Sequence, residues 1–164
     1  MNVIFLDIDG VMNSNESIVH YHEMFLRQNT PRPWNTDAIF PISYMKRLKS
    51  LVDMFNAKIV ISSTWRIFYP DGWKWYRLIE NLREFGLEVE GTTIRNWTRY
   101  KQRGDEIRHW LSEHLDVTNF VILDDDSDMC EFTETNLAKC DFRYGFTKDV
   151  LNKAIKILNI KEKL

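Results

Sequence analysis

Two aspartates near the N-terminus have the types and the spacing to do chemistry. Asp7 and Asp9 follow the apolar run Val3–Leu6, and Gly10 comes directly after them. Carboxylates that lie close together raise one another's pKa and oppose full ionisation, so such a pair needs a positive partner. Mg²⁺ is such a partner, because it binds one or two carboxylates together with waters and a substrate phosphate. Together with further acids gathered at the same place, the pair indicates a magnesium-assisted phosphate site.

Two further apolar runs end in polar residues that can join this site. Lys58–Ser62 ends in a serine, and Asn119–Asp124 leads directly into Asp125 and Asp126. In an open α/β sheet, the residues at the carboxyl ends of separate strands converge although they are distant in the sequence. We therefore expect the serine and these acids to lie beside the first aspartate pair.

The elements that must position these residues alternate between strand and helix patterns. The three apolar runs show no polar alternation, which is typical of parallel strands covered on both faces. Residues with apolar side chains at helical spacing lie between the runs, with Ser43 as the predicted cap of one helix and Gly86 as the predicted end of another. The predicted strands are 3–8, 58–62, 87–90, 119–124 and 138–142, and the predicted helices are 43–55, 75–85, 105–115 and 150–158. This order predicts a doubly wound, Rossmann-like three-layer α/β/α sandwich with a mainly parallel sheet.

Length and composition favour a single domain that spans residues 1–164. The chain has 164 residues, of which 44% are hydrophobic, and a formal net charge of −2. This charge argues against nucleic-acid binding over the whole surface but is compatible with a local basic patch. Two widely spaced cysteines and the lack of a long apolar stretch predict a cytoplasmic protein without a membrane span. Residues 13–41 match no regular pattern and predict a flap beside the site.

Three motifs resemble those of the haloacid dehalogenase (HAD) superfamily of phosphohydrolases, in the same order. They are DIDGV at 7–11, IVISSTWR at 59–66 and VILDDD at 121–126. The resemblance implies a HAD-like fold without a large cap domain and a Mg²⁺-dependent phosphatase that forms an aspartyl-phosphate intermediate. The superfamily also places a cation between the last two motifs, and Lys101 and Arg103 are both candidates. Arg103 is favoured because it directly precedes the Gly-Asp-Glu start of a helix.

The resemblance implies a role for each residue of the candidate site. Asp7 is the implied nucleophile, and Asp9 is the implied general acid and base. Ser62 and the cation, Arg103 or Lys101, would hold the transferring phosphoryl group. The implied metal ligands are Asp7, the backbone carbonyl of Asp9 and Asp125, with Asp124 beside them as a partner of the cation. Ser63 and Arg66 are candidate substrate contacts, and Asp128 is a candidate support for the metal.

The resemblance also bears on the substrate. Members with minimal caps act on large substrates, and the combination of SSTWR, RGDEI and LDDD is similar to HAD domains of RNA-repair proteins and polynucleotide-end phosphatases. The implied partner is a phosphorylated substrate such as a nucleotide or a nucleic-acid end. A strip at 95–108, with five basic residues and two interleaved aromatic residues, is compatible with binding a polynucleotide and equally with a solvated surface.

Two other classes of protein fit part of the pattern. A phosphoacceptor signalling domain also binds Mg²⁺ through clustered acids. Its accepting aspartate would follow the middle one of the three apolar runs in chain order, where this chain has Ser62. A catalytically silent HAD-fold binding module would not need both Asp7 and Asp9. Both classes remain alternatives to the enzyme.

Overall fold

A computed structural model describes residues 1–28, 39–94 and 100–160 of the chain. None of the helices within these residues combines the length and the hydrophobicity of a membrane span. The elements are β1 (Asn2–Leu6), α1 (Asn15–Arg27), α2 (Ile42–Phe55), β2 (Ala57–Ile61), a 3-10 helix (Thr64–Phe68), α3 (Trp73–Glu84), β3 (Val89–Thr92), α4 (Arg103–Glu113), β4 (Asn119–Asp124), α5 (Phe132–Thr135), β5 (Leu137–Lys139) and α6 (Lys148–Asn159).

The described strands form one parallel sheet in the order β3-β2-β1-β4-β5. Strand β1 lies at its centre because its side chains are apolar on both faces. Ile4 and Leu6 pack in a core with helices α2, α3 and α6, whereas Val3 and Phe5 pack with α4 on the opposite face. All four side chains are completely buried. Helices cover both faces of the sheet, which confirms the doubly wound α/β prediction.

The ends of two helices show which local predictions succeed. Gly86 adopts φ +66 just after α3 and its N–H donates to Arg83 O, as expected of a glycine at a helix C-terminus. The predicted cap Ser43 is wrong, because α2 begins at Ile42 and Ser43 lies inside it. The carbonyl of Pro41, rather than a serine hydroxyl, accepts the first helical N–H groups at 2.9 and 3.1 Å.

The predicted flap at 13–41 contains a helix that the sequence pattern did not reveal. Helix α1 begins after Ser14, whose Oγ accepts from Ser17 N at 3.2 Å, while Ser14 N donates to Ser17 Oγ at 2.9 Å. This reciprocal cap uses serine where glutamate or glutamine is the usual partner, so its signature is weak. Residues 29–38 of the predicted flap lie outside the described residues.

Candidate active site

The carboxyl ends of the three central strands lie side by side. Asp7 follows β1, and its N–H donates to Leu123 O on β4 at 2.9 Å. Ser62 follows β2, and its N–H donates to Leu6 O on β1 at 3.0 Å. These bonds extend the strand pairing by one residue beyond β1 and β2, so the structure brings together the polar residues of three distant segments.

Three carboxylates form a compact cluster at this edge. Asp7, Asp124 and Asp125 each offer an oxygen, and these oxygens all lie within 4.8 Å of one another. Burial raises the pKa of Asp124 well above its ordinary value, and the neighbouring charge of Asp7 adds to this effect. Burial and the charge of Asp7 also raise the pKa of Asp125. The cluster needs positive charge, and its three oxygen donors suit Mg²⁺.

Gly10 allows the loop after β1 to pass close to this cluster. It adopts φ +76, a conformation that residues with a side chain rarely adopt. A Cβ at this position would lie 2.5 Å from both Cγ and Oδ2 of Asp125. The glycine is therefore required both by the backbone conformation and by the space that the Asp125 carboxylate occupies.

Arg103 lies against the carboxylate cluster. Its Nη1 lies 3.1 Å from Asp7 Oδ1 and 3.2 Å from Asp124 Oδ2, and donates to Ser62 O at 2.7 Å. Burial opposes the charge of Arg103, but the attraction of Asp124 and Asp7 outweighs it and raises the pKa above its usual range. Lys101 is exposed, two residues before α4. Of the two candidate cations, the structure brings Arg103 to the carboxylates.

Asp128 holds the start of α4. Its Oδ2 accepts from Arg103 N at 3.1 Å, and its backbone carbonyl accepts from Gly104 N at 3.0 Å. A carboxylate at a helix N-terminus satisfies free N–H groups and complements the helix dipole. Asp128 is not part of the three-carboxylate cluster among the described residues. Its contacts therefore position Arg103, and support of a metal by Asp128 through water stays a prediction.

The carboxylate of Asp9 is held by two neutral donors. Trp65 Nε1 donates to Asp9 Oδ2 at 2.8 Å, and Asn13 Nδ2 donates to Asp9 Oδ1 at 2.9 Å. Trp65 is 1% exposed, whereas Asp9 is an exposed residue. Neither Trp65 nor Asn13 was among the candidate site residues of the sequence. The only sequence signal for this contact was a tryptophan shortly after Ser62 and Ser63. Its presence does not reveal the direction in which the indole N–H points.

Ser62 is completely buried at the end of β2. Its Oγ has no hydrogen-bond partner among the described residues. An unpartnered buried hydroxyl is uncommon, because desolvation without a hydrogen bond is unfavourable. It lies at the strand end beside the carboxylates, where a phosphoryl oxygen is the expected partner.

The two predicted substrate contacts, Ser63 and Arg66, have other partners. Ser63 Oγ accepts from Trp65 N at 3.3 Å and caps the 3-10 helix. Arg66 is 8% exposed, donates to the carbonyls of Ser62 and Ser63, and pairs with the buried carboxylate of Glu106. Both side chains hold the loop after β2 through these contacts, and their role as substrate contacts stays a prediction. Sequence reasoning did not identify Glu106, which lies in the RGDEI segment.

An open cleft of about 590 Å³ gives access to the site. It contains four acidic side chains and Arg103 together with neutral residues, mainly from the loop after β1 and from helix α1. The lining residues are Asp7, Asp9, Gly10, Asn13, Ser14, Asn15, Ile18, Thr64, Arg103, Asp125, Asp126 and Phe142. Helix α1 thus contributes Asn15 and Ile18 to the cleft, and a flap at 13–41 stays a prediction.

The parallel sheet with Asp7 after its central strand, and the acids and arginine around that residue, define a HAD-superfamily domain, a class of phosphohydrolase type. Residues 3–151 match the family described as "HAD domain in Swiss Army Knife RNA repair proteins". The chain belongs to this family. Neither the comparison with curated proteins nor the comparison with solved structures gives a match.

Proposed function

We propose that this protein is a Mg²⁺-dependent phosphomonoesterase that uses Asp7 as its nucleophile. The observation that carries the proposal is the position of the Asp7 carboxylate. It lines an open cleft, belongs to a cluster of three acids, and lies 3.1 Å from the guanidinium of Arg103. Phosphoryl transfer depends mainly on positioning and on charge stabilisation, and this arrangement supplies both.

The carboxylates of Asp7, Asp124 and Asp125 would hold the metal, with the backbone carbonyl of Asp9 as a further ligand. Bound Mg²⁺ would neutralise negative charge on the transferring phosphoryl group. Asp124 also faces Arg103, so it connects the metal site to the cation. Arg103 and the hydroxyl of Ser62 would contact phosphoryl oxygens.

In the first step, an oxygen of Asp7 attacks phosphorus, and the bond from phosphorus to the leaving oxygen breaks. The leaving oxygen takes a proton from the carboxyl group of Asp9. The product is a mixed anhydride of the Asp7 carboxyl group and phosphate, an acyl phosphate. Trp65 and Asn13 contribute by fixing the rotation of the Asp9 carboxyl group, so that its proton is delivered in one direction.

In the second step, water attacks the phosphorus of the acyl phosphate. Asp9, now a carboxylate, accepts the proton of this water, and the bond from phosphorus to Asp7 breaks. Inorganic phosphate leaves and both aspartates return to their starting states. Asp9 thus serves as acid and then as base, which requires a carboxylate at the mouth of the site, where leaving group and water both arrive.

We propose a nucleotide or a nucleic-acid terminal phosphate as the substrate. The family is described by its occurrence in RNA repair proteins, which supports this class. The cleft of about 590 Å³ is open, so a phosphate at the end of a long molecule can enter while the remainder stays in solvent.

Turnover of an aryl phosphate with Mg²⁺ tests the proposal. Asp7→Asn removes the nucleophile with almost no change in shape, so we expect activity to fall to the background of the assay. Asp53→Asn makes the same chemical change on the exposed surface of α2 and should keep wild-type activity. Full turnover by Asp7→Asn would exclude Asp7 as the nucleophile.

A further inference from the structure

One aromatic side chain in the catalytic cleft has no role in the mechanism. Phe142 lies between β5 and α6, lines the cleft together with Asp7 and Asp9, and is 56% exposed. It belongs to neither core cluster. An exposed phenylalanine leaves a large apolar surface in water, and this surface is available to a ligand.

The backbone fixes Phe142 at the wall of the cleft. Phe142 O accepts from Asn15 N at 3.0 Å, and Arg143 O accepts from Glu16 N at 3.1 Å, so the loop is attached to the first turn of α1. The carboxylate of Asp141 accepts from the backbone and the guanidinium of Arg143. The ring is therefore displayed from a loop that is ordered by hydrogen bonds on both sides.

The charges of the cleft limit how it can recognise the part of a substrate beyond the phosphate. Arg103 is the only cation among the described residues that line the cleft, and it faces Asp7 and Asp124. Arg108, from the predicted basic strip, pairs with Asp105 and Glu131 on the exposed face of α4. Arg95 and Arg99 lie outside the described residues. Apart from the acids Asp7, Asp9, Asp125 and Asp126, the described walls therefore offer apolar and neutral contacts rather than a row of cations.

We infer that Phe142 is the stacking platform for the base of the nucleoside that carries the phosphate, with Ile18 as the second apolar contact. The inference rests on the proposed function and adds a specific subsite to it. Single-stranded nucleic-acid ends are commonly held by stacking on aromatic rings, and stacking tolerates any base because each has a π-face. The cleft would thus select a terminal nucleoside without selecting the identity of its base.

Two oligonucleotides with the same terminal phosphate test this subsite. One carries a normal terminal nucleotide, and the other carries an abasic sugar at that position. Binding is measured by fluorescence anisotropy in the Asp7→Asn protein, which excludes turnover from the readout. We expect the normal oligonucleotide to bind about tenfold more tightly than the abasic one. Adding Phe142→Ala should remove this preference, while Phe142→Tyr should retain it.

Tyr76→Ala is the matched control, because Tyr76 is 63% exposed on α3 and does not line the cleft. It should leave the base preference unchanged. Equal binding of the two oligonucleotides by the Asp7→Asn protein, or an equal loss for both on adding Phe142→Ala, would overturn the subsite. Turnover by the wild-type protein reports separately on the proposed function, so the two failures are distinguishable.

Discussion

The indole N–H of Trp65 donates to the carboxylate of Asp9 at 2.8 Å. The two residues are separated by 56 positions, and the bond joins the loop after β1 to the 3-10 helix after β2. Trp65 is held in place by burial, and the ammonium of Lys74 lies 4.9 Å from the centre of its ring. A rigid donor thus fixes one oxygen of an exposed carboxylate.

Trp65→Phe should therefore reduce proton delivery to the leaving group. We expect kcat for an alkyl phosphate, a poor leaving group, to fall about tenfold, because an unheld Asp9 delivers its proton less often. An aryl phosphate needs little protonation and should be much less affected. Comparing kcat for the two esters measures this difference. Trp110→Phe changes a buried tryptophan on the opposite face of the sheet and should affect both esters equally. An equal loss of kcat for the alkyl and the aryl phosphate in Trp65→Phe would indicate that Trp65 has a packing role alone.

Arg103 should be essential and Lys101 dispensable. Arg103→Gln removes the charge beside Asp7 and Asp124, and we expect kcat to fall by a factor of about 10² to 10³. Lys101→Gln removes an exposed charge and should keep activity within about twofold of wild type, since isolated surface charges contribute little. Steady-state kinetics on one aryl phosphate compares the variants. A large loss in Lys101→Gln with an active Arg103→Gln would reverse the assignment.

Mg²⁺ should stabilise the folded protein through Asp125. A ligand at about one hundred times its Kd adds about 2.7 kcal/mol to the free energy of unfolding. The Tm of the wild type should therefore rise with Mg²⁺ concentration, and the rise should be lost in Asp125→Asn. Asp126→Asn changes the adjacent exposed acid, which is outside the carboxylate cluster, and should keep the response. An unchanged response in Asp125→Asn would exclude this carboxylate as a ligand.

Gly10→Ala should damage both stability and catalysis. The methyl group would collide with the Asp125 carboxylate, and the alanine would have to adopt φ +76. Backbone strain of this kind costs about 1–3 kcal/mol, which a denaturant titration can measure. Gly91→Ala is the control, because a Cβ at Gly91 would meet nothing within 4 Å. Equal stability losses in the two variants would contradict the role of Gly10.

The sequence predicted the sheet well because its signal is local and strong. The apolar runs that became β1, β2 and β4 are buried on both faces, and a polar residue lies at or just after the end of each. The location of the candidate site could be predicted as well, because the carboxyl ends of neighbouring parallel strands converge by geometry alone. The proximity of Asp7, Ser62 and Asp124 could therefore be predicted without knowing the direction of any side chain.

What the sequence could not predict depends on side-chain direction and on contacts between distant segments. Arg66 and Trp65 are neighbours, yet one turns to the buried Glu106 and the other to Asp9. No periodicity distinguishes these directions. Phe142 was assigned to an edge strand, but β5 ends at Lys139 and the aromatic ring lies at the cleft instead. Helix α1 was missed because its serine cap is a weak signal.

The most direct test of the account is to locate the transferred phosphoryl group. Asp9→Asn should still form the acyl phosphate from an aryl phosphate and Mg²⁺, because that leaving group needs no acid, but should hydrolyse it slowly for lack of a base. Rapid quenching followed by peptide mass spectrometry should find one phosphoryl group on Asp7 in Asp9→Asn and none in Asp7→Asn. A phosphoryl group that persists for hours on wild-type Asp7 without turnover would indicate the signalling alternative. Hydrolysis of the ester without any phosphorylated Asp7, or with the phosphoryl group on another residue, would contradict the account.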